Sequence, residues 1–331
     1  MTLSISRRAA LLAALTAAAE PVLAQKSGAM PAGWPSRPLR ILVGFPGGST
    51  PDLVARTIAE PLGQALGQPV VVDNRPGAGG NIAADAVVKA TDDHTIGVMI
   101  NGNMTIAKLL NPATPFDPVR DLAPISLIGT APLLLAAPAN APGANAMDFF
   151  AAAREAGNKW SYGSPGIGTV GHIGMELLKT KTKIDPVHVP YPGNPQVINA
   201  MMSGQIQLAL LPPGLAAQQV RAGKLKAIGV TSVGRSSLVP DYPSLDELGV
   251  TRGLQLEIWT AAAAPQSMPK PIVAKLSQLI ADIARTPEVR QKLFAQGWQV
   301  AGTSAEGLGN RVKADTALLG GIIQARGIKA E

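Results

Sequence analysis

The chain has 331 residues, 46% of them hydrophobic, a formal charge of +7 and no cysteine. That length and apolar content can bury a core in one large or two smaller domains and exclude a disordered chain. The missing cysteine excludes a lipid-anchored thiol, a disulfide framework, a zinc ribbon and a thiol nucleophile. The positive excess raises the question of nucleic acid, but Lys and Arg are scattered, aromatics are 4% and no basic stripe appears, so a solvated surface is the better reading.

Residues 1–24 have the layout of an export signal: Arg7-Arg8, an apolar run over 9–19, and Pro21-Val22-Leu23-Ala24, whose small residues suit cleavage after Ala24. The run is too short for a bilayer core of ~30 Å, which needs about 20 residues. No later segment reaches that length without charges, Gly or Pro. A soluble, periplasmic protein is therefore expected. Removal of 1–24 takes away Arg7, Arg8 and Glu20 and leaves a charge of +6. The triplet Ser6-Arg7-Arg8 leaves a twin-arginine export route open, although Ala10 stands where an aromatic is preferred.

A Pro/Gly-rich stretch at 27–38, overlapping an N-terminal spacer at 25–35, precedes alternating apolar runs and amphipathic segments, the mark of an α/β protein with mainly parallel strands. Residues 39–45 are the first strand. Thr50 as cap, Pro51 at the first helical position and Val54, Ile58, Leu62 and Leu66 at four-residue spacing give a helix that Gly67 stops and Pro61 kinks. Strands follow at 69–72 and 95–100, with a helix at 82–89 between them and a short one at 106–110. Two further strands lie at 122–128 and 133–137. A second series begins with a helix at Asn145 and has strands at 160–162, 187–189, 206–211 and 225–230, separated by helices. Residues 254–264 read as a long strand, Ile272, Leu276, Leu279, Ile280 and Ile283 mark an amphipathic helix, Thr286-Pro287-Glu288 opens another, and 305–325 is helical. No fixed-period repeat is present.

In open α/β sheets ligands bind beyond the carboxyl ends of strands, where loops offer backbone amides at helix N-termini. Phe45-Pro46-Gly47-Gly48-Ser49-Thr50-Pro51-Asp52 sits there, with glycines for close backbone approach and hydroxyls as donors. Such a junction is equally an ordinary capped turn. The balance shifts because similar loops recur: Gly77-Ala78-Gly79-Gly80-Asn81, Asn101-Gly102-Asn103-Met104-Thr105, Tyr162-Gly163-Ser164-Pro165-Gly166-Ile167-Gly168-Thr169 and Tyr191-Pro192-Gly193-Asn194.

Competing chemistries are weaker. Gly166-Ile167-Gly168-Thr169-Val170-Gly171 matches the dinucleotide fingerprint, but its strand is short and Pro190-Tyr191 stands where an acid would close the next strand. Ser164 is not in a nucleophile elbow. His94, His172 and His188 are far apart and lack metal spacing, so surface or packing roles fit them, with His172 alone a candidate ligand neighbour. Trp259 is either a cleft wall or a core aromatic on a crossing strand. No cofactor, metal or catalytic residue is expected.

At these loops the chain resembles the tripartite tricarboxylate transporter receptors, the Bug family of extracytoplasmic solute-binding proteins. The resemblance runs from Trp34 to Lys329 and is carried by Asn74-Arg75-Pro76-Gly77-Ala78-Gly79-Gly80-Asn81, Phe116-Asp117-Pro118, Tyr162-Gly163-Ser164, His188-Val189-Pro190-Tyr191 and Arg221-Ala222-Gly223-Lys224-Leu225. It implies a two-lobed periplasmic-binding-protein fold of type II kind with two crossing hinge strands. One lobe would be 36–137 plus 263–331 and the other 138–262. It implies a small organic acid held by Phe45, Gly48, Ser49, Thr50, Asn101 and Thr105 from one lobe and Ser164, Gly166, Gly168 and Thr169 from the other, to which the loops add Gly80 and Tyr191. The implied receptor is a monomer that hands its ligand to the membrane subunits of a tripartite tricarboxylate-type transporter. A ligand-presenting sensor subunit and a secreted carboxylate-acting enzyme are the other readings. Two departures bear on the ligand. Ser49 stands where relatives commonly have glycine. The stretch 205–213 lacks the acids many relatives carry, having Gln207, Leu211 and Pro212. A buried ammonium without a partner is costly, so an amine-free carboxylate, dicarboxylic or aromatic, is expected.

Overall fold

A computed structural model describes residues 31–328. The export signal read at 1–24 lies outside the described residues. In chain order the first lobe begins with β1 (Leu39–Val43), α1 (Thr50–Leu66), β2 (Val70–Asn74), α2 (Asn81–Val88), β3 (Thr95–Ile100), α3 (Asn101–Thr105), α4 (Ala107–Leu110), α5 (Pro118–Asp121) and β4 (Leu122–Pro132). The second comprises β5 (Leu134–Pro138), α6 (Ala146–Ala156), β6 (Ser161–Ser164), α7 (Val170–Thr182), β7 (Val187–Pro190), α8 (Asn194–Met202), β8 (Leu208–Leu211), α9 (Pro213–Arg221) and β9 (Leu225–Val230). The chain then returns through β10 (Glu257–Pro265), α10 (Lys270–Arg285), α11 (Pro287–Ala295), β11 (Gln299–Val300) and α12 (Ala305–Arg326).

The strands form a six-stranded sheet, β11-β4-β10-β3-β1-β2, and a five-stranded sheet, β7-β6-β8-β5-β9. Both are mixed, which corrects the expectation of mainly parallel strands. β1 runs parallel to β2 and β3, and β6 to β7 and β8, each reached by a helical crossover. β10 is antiparallel to β3 and β4, and β5 to β8 and β9. The reason is the crossing itself: β5 and β10 enter their sheets directly from the other lobe, hence from the opposite end. The first crossing falls between β4 and β5, and the second lies between β9 and β10. Residues 134–137 thus pair in the second sheet and 257–262 in the first.

Thr231 joins the two crossings. It is fully buried; its hydroxyl accepts from the Leu133 N–H at 2.9 Å and donates to the Leu256 carbonyl at 2.8 Å. Its own N–H donates to the Leu133 carbonyl and its carbonyl accepts from the Leu256 N–H.

Each sheet is covered on both faces. On the first, Val54, Ile58 and Leu62 of α1 and Ile272, Leu276 and Ile280 of α10 pack on one side, and Val87, Met104, Trp259, Leu308 and Val312 on the other. On the second, Phe149, Phe150 and Leu178 cover one side and Val197, Met201 and Ala216 the other. The three- and four-residue spacing of these apolar positions is what makes each helix bury one stripe. α1 departs from the reading in one respect: Ser49, not Thr50, is the cap residue, and Pro61 lies inside the helix. The polar run 101–105, read as a loop, is helical; the Asn103 side chain accepts from the Ile100 N–H at 3.4 Å and stabilises the turn. A fifth apolar cluster crosses between lobes: Ile106 and Leu110 of the first, Ile173 of α7, and Leu319 and Ile323 of α12.

Candidate functional site

The glycine-rich loops meet between the lobes, and they meet closed. A Cβ on Gly79 would lie 2.6 Å from the Ile167 carbonyl, and one on Gly166 would lie 3.0 Å from the Gly79 Cα. A Cβ on Gly102 would overlap the Gly168 carbonyl, and one on Gly214 would overlap that of Gln296. Only residues without side chains allow this approach. Asn194 Nδ2 donates across the gap to Thr50 Oγ1 at 3.2 Å.

Two cavities remain. The inner one, about 40 Å³, is lined by Phe45, Ser49 and Thr50 of the first loop, Thr169, Val170 and Gly171 of the second lobe, Asn194, Pro212, Thr260 and Trp298, among others. The outer one, about 620 Å³, is lined by residues 76–79, Asn81, Gly102, Asn103, Ala107, Leu110, Asn111, 165–168 and 190–192. Among the described residues no charged side chain lines either. Positive potential comes instead from backbone. Ser49, Thr169 and Pro212 are the caps of α1, α7 and α9, and Asn194 is the first residue of α8, so four helix N-termini reach the inner cavity. Each carries roughly half a positive charge and first-turn N–H groups with no intrahelical partner. Such an assembly attracts an anion without any cationic side chain.

The first loop is held by Asp52, which is almost fully buried. Its carboxylate accepts from the Gly48 N–H at 2.9 Å, from Arg56 Nε at 3.0 Å and from Asn74 Nδ2 at 2.9 Å. Burial opposes its ionisation, but these hydrogen bonds and the Arg56 charge outweigh it and hold the carboxyl below its usual range.

The expected ligand residues separate into three groups. Phe45, Ser49, Thr50 and Thr169 line the inner cavity; Gly166, Gly168 and Tyr191 line the outer one. Gly48, Gly80, Asn101, Thr105 and Ser164 line neither. Gly48 serves the Asp52 network and has φ +76°, and Gly80 packs on Phe45 and Asn103. Asn101 donates to the Glu257 carbonyl at 3.1 Å, and the Thr105 hydroxyl donates to the Asn101 carbonyl at 2.6 Å. The Ser164 hydroxyl lies 2.7 Å from His188 Nε2 and also bonds Gly166. Thr169 uses its hydroxyl to donate to the Gly166 carbonyl at 2.7 Å.

The sequence reading named Asn194 only as part of a candidate loop and missed Thr260 and Trp298. Trp259, the aromatic it considered, lies in the first lobe's core, where its Nε1–H donates to Asp315 at 2.6 Å. It also treated the histidines as unrelated, yet His172 and His188 stack at 4.3 Å and His188 stacks on Tyr162 at 4.7 Å. Gly168 donates its N–H to His172 Nδ1 at 3.3 Å, so this stack backs the second lobe's ligand loop and lines a separate pocket with Glu176, Lys179 and Asp185. Burial, aided by His172 and the positive Lys179, lowers His188 to about 3.

Two facing α/β lobes joined by crossing strands, with a neutral cleft at helix N-termini, define a solute-binding receptor. The chain belongs to the tripartite tricarboxylate transporter family receptors, whose family model matches residues 54–328. That family is one of binding receptors, not of enzymes. A UPF0065 protein of Bordetella pertussis is 32% identical over 329 residues, covering 99% of both chains. Among solved structures, the periplasmic binding protein BugD is 29% identical with a TM-score of 0.85, over 90% of this chain and 100% of its own. MatC of Rhodopseudomonas palustris with bound malate is 30% identical with a TM-score of 0.83, over 88% and 100%. A second R. palustris protein, solved with adipate, is 29% identical with a TM-score of 0.86, over 89% and 99%. No helix among the described residues is long and apolar enough to cross a membrane.

Proposed function

We propose that this receptor works in the periplasm, captures a small amine-free organic carboxylate between its lobes and delivers it to the membrane subunits of a tripartite tricarboxylate-type transporter. One observation carries the reading: four helix N-termini reach a cavity that, among the described residues, has no cationic side chain to neutralise an anion and no acidic one to hold an ammonium. Malate and adipate in the two R. palustris relatives support a carboxylate as the ligand class. Leu211, wholly buried on β8, stands in the stretch where an acid for an amine was sought. Export follows from residues 1–24, and the lobes that close are those carrying the two sheets. A closed form differing from the open one is what the membrane subunits can read.

The test is a thermal-shift screen of small carboxylates followed by scattering. A ligand at a hundred times its dissociation constant stabilises by about 2.7 kcal/mol. Compaction at saturation is expected. Tighter binding of glutamate or aspartate than of matched acids lacking the amine would refute the amine-free assignment.

A further inference from the structure

Nine buried side-chain polar atoms among the described residues have no hydrogen-bond partner, and four of them, Ser49 Oγ, Asn194 Oδ1, Thr260 Oγ1 and Trp298 Nε1, belong to residues lining the inner cavity of about 40 Å³. Unpartnered buried groups are costly and usually rare, so the Ser49 and Thr260 hydroxyls and the Trp298 N–H, all able to donate, point to one missing acceptor that arrives from outside, whereas Asn194 Oδ1 only accepts and would need a different partner. Ser49 and Asn194 stand on ligand loops. Trp298 and Thr260 do not. Trp298 lies between α11 and β11 and is 1% exposed; Thr260 is on the returning strand β10 and is fully buried. An indole N–H only donates, while the Trp298 ring itself packs in the first lobe's core.

We propose that Trp298 and Thr260 are specificity-determining ligand contacts, donating to one carboxylate seated in the inner cavity. Their position on the first lobe's strand-held framework fixes where that carboxylate sits, while the loops carrying Thr169 and Asn194 move with the second lobe. The cavity's size adds a selection. At about 10–15 Å³ for each water-sized occupant, it takes roughly three such groups, enough for a carboxylate head and no substituent beside it. The rest of the ligand must lie elsewhere; the outer cavity shares Pro165 with the inner one and has room. The ligand class is thus a carboxylate on an unbranched or planar carbon, not one with a quaternary carbon next to it.

The inference rests on the receptor reading, and the experiment separates their failures. Calorimetry with adipate, hexanoate, benzoate and pivalate is run on the wild type, then on Trp298→Phe, Thr260→Val and Thr260→Ser, with the unliganded melting curve of each as a folding control. One or more of the first three acids binds and pivalate does not. Thr260→Val then weakens that acid about tenfold or more, equivalent to about 1.4 kcal/mol, without lowering the unliganded melting temperature, and Thr260→Ser restores it; Trp298→Phe weakens it as much, while the volume it removes from the core lowers the unliganded melting temperature. Wild-type affinity in both Trp298→Phe and Thr260→Val, or binding of pivalate, overturns this inference and leaves the receptor intact. No binding of any of the four acids to the wild type overturns both.

Discussion

Replacing Gly214 by Ala separates closure from folding. Gly214 is the second residue of α9 in the second lobe, and its neighbours Gln296 and Gly297 belong to the first. The added methyl would overlap the Gln296 carbonyl and sit 2.9 Å from the Gly297 nitrogen, where ordinary contact begins at 3.4 Å. Overpacking of this kind costs about 1–3 kcal/mol, and here the whole penalty falls on the closed form. A closed state destabilised by that much lowers ligand affinity roughly 5- to 150-fold. Folding of either lobe loses nothing, because alanine is the better helix former by up to about 1 kcal/mol. The signature is a pair of opposite signs: unliganded melting unchanged or raised, affinity for the bound acid reduced. Calorimetry and melting curves read the two quantities, and scattering shows a larger radius at equal ligand concentration. An unchanged dissociation constant, with full compaction on ligand addition, would refute the idea that closure depends on glycine meeting carbonyl at this seam.

Two further expectations concern the framework. Thr231→Val leaves the Leu133 N–H and the Leu256 carbonyl without their side-chain partner, a loss of about 1–3 kcal/mol in urea denaturation; a smaller change would mean that the backbone pairing alone holds the hinge. His188 binds a proton in the folded chain only at about 3, against 6.5 ordinarily. As pH falls below 6.5 the unfolded chain takes the proton first, so stability is complete above 6.5 and declines toward pH 3. His188→Gln removes that dependence, so the difference in stability between pH 7 and pH 5 shrinks; an equal difference in the two proteins would refute the assignment.

Local chemistry made much of the molecule legible. The apolar spacing of 272–283 gives α10, and Gly67 in the left-handed conformation ends α1. Phe45, Ser49, Thr50 and Thr169 could be found because loops between strand and helix expose backbone donors. Trp298 and Thr260 could not, since they reach the cavity through sheet order: β10 lies between β4 and β3, and Trp298 immediately precedes β11 at the sheet's edge. Nothing in their own sequence neighbourhoods marks a ligand. The histidine stack was hidden for the same reason, because parallel pairing of β6 with β7 sets Tyr162 beside His188, and only the helix after β6 brings His172 over them. The Asn-Gly-Asn-Met-Thr run misled by composition, its polar residues being recruited to cap and bury a short helix.

The apolar cluster that spans the lobes gives closure a temperature coefficient. Ile173 of α7 is buried against Ile106, Leu110, Leu319 and Ile323, so closure that makes this contact takes apolar surface out of water. Burial of such surface lowers the heat capacity of the complex and contributes less on cooling. Ligand affinity in this receptor therefore has a component that fades in the cold whatever the solute, and that component rests in part on the long C-terminal helix, none of whose described residues lines either cavity.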